Sequence, residues 1–122
     1  TKKFNMKKYS LFIGRWQPWH QGHRWLIDQR LKDGKNVCVA IRDVETSENQ
    51  PWSAKDIKEN IKHELKDLIK VGKVKVIIIP DIESINYGRG VGYDVIEHEP
   101  PEFIKRISAT DIRLGMRKDG KL

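Results

Sequence analysis

Apolar positions in this chain follow two rhythms, and their alternation predicts the fold. Tyr9 to Ile13 is a short apolar run that stops at Gly14, which reads as a buried strand. After a loop holding Pro18, a helix is expected from about Gln21 to Lys32, with Leu26, Ile27 and Leu31 turned inward. Gly34 stands where a helix end needs a left-handed residue. Asn36 to Ile41 is almost wholly apolar, as in a strand covered on both faces. The polar stretch 42–52, with Pro51, reads as a loop. Ser53 then caps a second helix, with Asp56 three residues on. Ile57, Ile61, Leu65, Leu68 and Ile69 recur at helical spacing until Gly72 closes it. Lys73 to Ile79 is a third strand.

Strand, helix, strand, helix, strand implies an α/β fold whose central parallel sheet is flanked by helices. The remainder is irregular. Residues 80–93 are rich in glycine and polar side chains, and 97–102 carry Pro100 and Pro101. A last helix is expected from Ser108, capped with Asp111 three residues on, to the region 115–118. Residues 1–8 are read as an extension, with Met6 an alternative start, and 9–122 as one domain.

Composition narrows the partners. The 122 residues carry a net charge of +7, which favours anions without choosing among them. Cys38 is the only cysteine, which removes a disulfide framework and suits a reducing cytoplasm. No apolar run approaches the roughly 20 residues that cross a bilayer.

The candidate chemistry lies where the first and last helices begin. In open α/β sheets ligands bind beyond the carboxyl ends of the strands, at the switch point of strand order. The segment after the first strand, Gly14-Arg15-Trp16-Gln17-Pro18-Trp19-His20-Gln21-Gly22-His23, therefore faces that edge and opens a helix. Gly14 would admit a ligand close to the backbone, Arg15 adds positive charge, and His20 and His23 share one side of the first turn. The helix start supplies N–H donors. Ile107-Ser108-Ala109-Thr110-Asp111-Ile112-Arg113 offers a second cradle, of two hydroxyls, early amides and a guanidinium. Both suit a polyphosphate.

Together the two segments resemble the HxGH and ISxTxxR signatures of a superfamily of small nucleotidyltransferases. Gly-Arg-aromatic-Gln-Pro-aromatic-His is similar to the archaeal type of nicotinamide mononucleotide adenylyltransferase. Pro51-Trp52-Ser53-Ala54 resembles the Pro-Phe-Thr-Ala of the same enzymes, although Ile57 replaces the arginine of their following turn. The resemblance implies a Rossmann-like nucleotidyltransferase domain. It would move a nucleoside monophosphate, AMP ahead of CMP, from a triphosphate (ATP or CTP) to a phosphorylated small molecule with release of pyrophosphate. It implies His20, His23 and Arg113 as catalytic groups and Gly14, Arg15, Gly22, Ser108 and Thr110 as the nucleotide and phosphate cradle. Mg²⁺ would be held mainly by substrate phosphates and water, with no metal ligand from the chain, and pairing into a homodimer is a further expectation. Trp16, Trp19, Arg42, Asp43 and Arg89 are candidates for the acceptor side, Arg89 on a glycine-rich loop (88–92) that could act as a lid.

Other readings start from the same residues. A His-x-x-His pair can hold zinc, but Cys38 and His63 are poorly placed to complete a set. Ser108 with Asp111 is a common helix cap, and Trp16 and Trp19 can simply cover a core. The glycine-rich loop lacks the Gly-Lys-Ser/Thr ending of a P-loop. Two rival classes are a basic nucleic-acid-binding module, motivated by +7 and four tryptophans, and a regulatory domain that binds nucleotide without turnover. The lysines are scattered rather than grouped with aromatics, which favours the triphosphate.

Overall fold

The structure is a computed structural model and describes residues 6–90 and 92–122. The reading of residues 1–5 as an extension, and Val91 of the candidate lid, lie outside the described residues. The order is β1 (Tyr9–Gly14), α1 (Gln21–Leu31), β2 (Asn36–Asp43), α2 (Ala54–Glu64), α3 (Lys66–Lys70), β3 (Val74–Pro80), α4 (Glu102–Lys105) and α5 (Ala109–Lys118). The three strands form one parallel sheet in the order β1-β2-β3.

Register decides which side chains share a face. Leu11 pairs with Cys38 and Cys38 with Lys75; Phe12 pairs with Val39 and Val39 with Val76. Because strand side chains alternate, Phe12, Val37, Val39, Ile41, Val74 and Val76 project to one side. On that side they join Ile27 of α1, Ile57 and Ile61 of α2, and Leu65 in a single core. Burying each such isoleucine or leucine stabilises the fold by about 1.5–3 kcal/mol. Leu11, Ile13, Ile77 and Ile79 face the other way and take no part in this core. Helices therefore cover one face of the sheet. α4 packs on α1 rather than on the sheet.

Several expectations change. The second helix is two helices, broken at Leu65 (φ −111°, ψ 20°), so that the short α3 brings Leu68 and Ile69 onto the core. β2 runs two residues further than its apolar stretch, because Arg42 and Asp43 still pair with Ile79 and Pro80. They are strand residues, not loop. α4 follows the two prolines, in a stretch with no helical periodicity to announce it. β1 is an edge strand among the described residues, so its C-terminal end is a sheet edge and not a reversal of strand order. Gly34 and Gly72 have φ of 75° and 78°, the left-handed values expected where α1 and α3 end.

Candidate functional site

The chain leaves β1 at Gly14 and enters α1 at Gln21 through a loop fixed by buried side chains. Trp16 has φ 55°, a left-handed conformation unusual for a large residue. It is held there because its ring lies in the core and its indole N–H donates to the Ala40 carbonyl at 3.0 Å. A Cβ on Gly14 would meet that ring at 2.9 Å. Gly14 is thus required by the indole beside it, and the space expected for a ligand is filled by Trp16. Nor does the buried Trp16 ring offer a free stacking face to an acceptor. Trp19 leans on it with ring centroids 5.4 Å apart.

Gln17 is the hub of the loop. It is 5% exposed, and its amide brackets Trp52, donating to the Trp52 carbonyl at 2.8 Å and accepting the Trp52 N–H at 3.2 Å. Its own carbonyl accepts a hydrogen bond from Arg113 of α5. One residue therefore joins the β1–α1 loop, the approach to α2 and the last helix.

His20 and His23 do two things at the start of α1. The rings stack with centroids 3.7 Å apart. His20 Nδ1 accepts the Gly22 N–H at 3.0 Å, and His23 Nδ1 accepts the His20 N–H at 3.2 Å. A Cβ on Gly22 would come within 2.8 Å of the His20 ring, so glycine there lets the imidazole fold back over the helix start. With each Nδ1 accepting, each neutral ring carries its proton on Nε2 and presents it as a donor. The first turn is less open than its sequence suggests. The N–H groups of His23 and Arg24 both bond the His20 carbonyl, which leaves Gln21 as the spare amide. The imidazoles replace the amides as donors.

Burial sets their charge. Desolvation lowers the His20 pKa. Desolvation first, then the neighbouring His20, lowers that of His23 to about 3. Both rings are therefore neutral near neutral pH.

α5 starts with the Ser108 hydroxyl accepting the Asp111 N–H at 3.3 Å, leaving the amides of Ala109 and Thr110 without a protein partner among the described residues. Arg113, 7% exposed, is the buried residue of this helix and also donates to the Thr110 hydroxyl at 3.3 Å. Desolvation lowers its pKa, and Arg117 and Arg15 lower it further. Arg117 and Arg15 therefore each sit close enough to Arg113 to oppose its charge.

Arg15, Trp16, Gln17, His23, Asn49, Gln50, Ala109, Thr110 and Arg113 enclose an open cavity of about 470 Å³. No carboxylate lines it among the described residues. Of the expected residues, Arg15, Trp16, His23, Thr110 and Arg113 meet there; His20 and Gly22 stand behind His23, and Ser108 caps the helix next to it. Arg42 is elsewhere. It pairs with Asp81 at 2.7 Å and donates to the Ile82 carbonyl, tying down the segment that leaves β3. Asp43 and Arg89 do not reach the cavity either.

Gln17, Asn49 and Gln50 are the lining residues to which sequence reasoning gave no role. Ser47 and Gln50 exchange two backbone hydrogen bonds, forming a tight turn. The Gln50 side chain accepts from Arg15 at 2.9 Å, and Arg117 donates to the Glu48 carbonyl. The polar loop after β2 is thus gripped by guanidiniums from both ends of the chain. Only its place beyond a strand's carboxyl end could have signalled this. Compared with family models the chain matches none, and no curated protein matches it.

Proposed function

We propose that this chain is a nucleotidyltransferase with a Rossmann-like core, binding a nucleoside triphosphate in the cavity between the starts of α1 and α5. The observation that carries this reading is that Arg15 and Arg113 line one polar cavity, with Arg117 near Arg113, and that among the described residues no carboxylate lines it. Cations brought together without counter-charges are stabilised when a polyanion arrives. The His23 Nε2–H, the Thr110 hydroxyl and the amides of Ala109 and Thr110 supply directed donors to the same ligand.

In the proposed reaction a phosphate oxygen of the acceptor attacks the α-phosphorus in line. The bond to the β,γ-pyrophosphate breaks, and its electron pair leaves with pyrophosphate. The chain's task is positioning and neutralising charge. His23, with His20 behind it, donates to the α-phosphate, while Arg113, Thr110 and Arg15 hold the β,γ end. The lining of arginine, amide and imidazole groups does not form a Mg²⁺ site, which would call for carboxylate and water oxygens. On this reading the ion enters with the triphosphate, and no step depends on its being held by the chain.

The test is pyrophosphate release from ATP or CTP in the presence of Mg²⁺ and a panel of phosphorylated acceptors. Turnover with at least one pair is expected, with ATP preferred. His23→Ala should lower kcat by about 10²–10³, the usual cost of losing one preorganised donor at a developing charge. Arg113 also supports the Gln17 carbonyl, so Arg113→Lys is the better probe than alanine; it should lose activity because lysine cannot reproduce the fork. Wild-type turnover in either variant, or no release across the panel, refutes the reading.

A further inference from the structure

β3 is an outer strand of the sheet among the described residues, and the phase of its ladder shows which of its groups face away. Val37 donates its N–H to the Lys73 carbonyl at 2.8 Å. In a parallel ladder, residues that bond the neighbouring strand alternate with residues that turn their backbone groups to the other side. Lys75, Ile77 and Ile79 therefore direct N–H and C=O to β2, and Val74, Val76 and Ile78 direct theirs outward. Among the described residues those outward groups have no hydrogen-bond partner. Pro80, which has no N–H to leave unpaired, occupies the next outward position.

Edge strands are commonly blunted by a bulge, by proline or by charge. β3 pairs without a bulge from Val74 to Pro80, and between Lys75 and Pro80 every residue is apolar. Ile78 is 39% exposed. An open cavity of about 440 Å³ lies against the start of the same strand, where Lys58 and Lys62 of α2 and Ile69 of α3 line it with Val74, Lys75 and Val76. Among the described residues no carboxylate lines this cavity, and none of the three lysines is in an ion pair. Lys58 and Lys62 stand one turn apart on α2, where like charges oppose each other until an anion arrives.

We propose that this edge takes up an extended, carboxylate-rich segment of a partner protein, added to the sheet as a further strand beside β3. The outward N–H and C=O groups supply the main-chain hydrogen bonds, Lys58, Lys62 and Lys75 hold the carboxylates, and Ile69 and Val76 receive an apolar side chain. Charge selects an acidic partner over a second copy, because two β3 edges brought together would set lysine against lysine. The lysines line the start of β3, at the other end of the strands from Arg15 and Arg113, so occupancy here is independent of the proposed triphosphate site.

Fluorescence anisotropy on the full chain, with a labelled peptide of alternating glutamate and valine, tests this. The peptide should bind, and concentrated salt should weaken it. Two N-methylated peptides separate strand pairing from plain charge attraction, one methylated at every glutamate amide and one at every valine amide. Only one set faces β3, so one form should bind about tenfold more weakly than the other. Lys58→Gln with Lys62→Gln should weaken the unmodified peptide severalfold while the thermal melt stays as in the wild type. Amide exchange followed by NMR locates the added strand: Val74, Val76 and Ile78 should exchange faster than Ile77 and Ile79 in the free protein and slow when the peptide is added. No binding at millimolar peptide overturns the proposal, as do two methylated forms of equal affinity or a double variant that binds like the wild type. Protection of Val74, Val76 and Ile78 before peptide is added overturns it too, since a second copy or the chain itself would then already cover the edge. The methylated peptides leave the protein untouched, so they decide the matter even if the double variant fails to fold.

Discussion

His23 offers a hydrogen bond to the proposed phosphate site while neutral, and staying neutral has a measurable cost. Its pKa in the fold is about 3, against an unfolded value near 6.5, mainly because it is desolvated. Between those values the unfolded chain binds a proton that the folded chain refuses, so stability rises with pH across this window. The contribution is complete above about pH 6.5 and is lost as pH falls toward 3, at a slope of up to about 1.4 kcal/mol per pH unit. His23→Gln keeps an acceptor for the His20 N–H and does not titrate. Urea unfolding of the two proteins should therefore give a stability difference that narrows, then changes in favour of glutamine, as pH drops from 7 to 4. A difference independent of pH would mean the imidazole is not desolvated as described. Binding a polyphosphate acts in the opposite direction, because nearby negative charge favours the imidazolium.

At the scale of elements, the loop between β1 and α1 is held by Gln17 more than by its own backbone. Gln17→Ala removes both bonds to Trp52 and leaves that half-buried backbone without its partner, which costs up to about 1–3 kcal/mol per unsatisfied group. Chemical denaturation should show a loss in that range, and Trp52 fluorescence should shift before the main unfolding step. An unchanged midpoint would remove Gln17 from its central place. The glutamine was legible as part of a motif but not as a clamp, since nothing local says that residue 17 meets residue 52. β2 was legible because a central strand is apolar at every position, whereas its last two residues are polar and only pairing with β3 reveals them. The Ile77-Ile78-Ile79 run signals two apolar faces but is silent on whether the chain covers both. α4 has four residues and too few turns to show a period. The donors of the site were named from sequence, but their tautomers and the filling of the space beside Gly14 are properties of packing.

At the scale of the whole molecule, the last helix is attached differently from the others. α1 and α2 are held by Ile27, Ile57 and Ile61 in the core, whereas the one buried side chain of α5 is Arg113 and Leu114 is 56% exposed. Its links to the body are hydrogen bonds from Arg113 to Gln17 and from Arg117 to the Glu48 carbonyl. A helix fastened by guanidiniums, with little apolar burial, opens at low free-energy cost and so exchanges its amide protons faster than the sheet. A triphosphate that bridges His23 to Thr110 and Arg113 adds its binding energy to that closure, and α5 gains the protection. Hydrogen exchange with and without ATP and Mg²⁺ should therefore slow across residues 109–118 and at the first turn of α1. The β2 amides, limited by global unfolding, should change no more than the overall gain in stability. In His23→Ala the protection of α5 should shrink with the affinity. If ATP binds and α5 exchanges as before, the two ends of the chain do not share the ligand, and the phosphate site belongs to α1 alone.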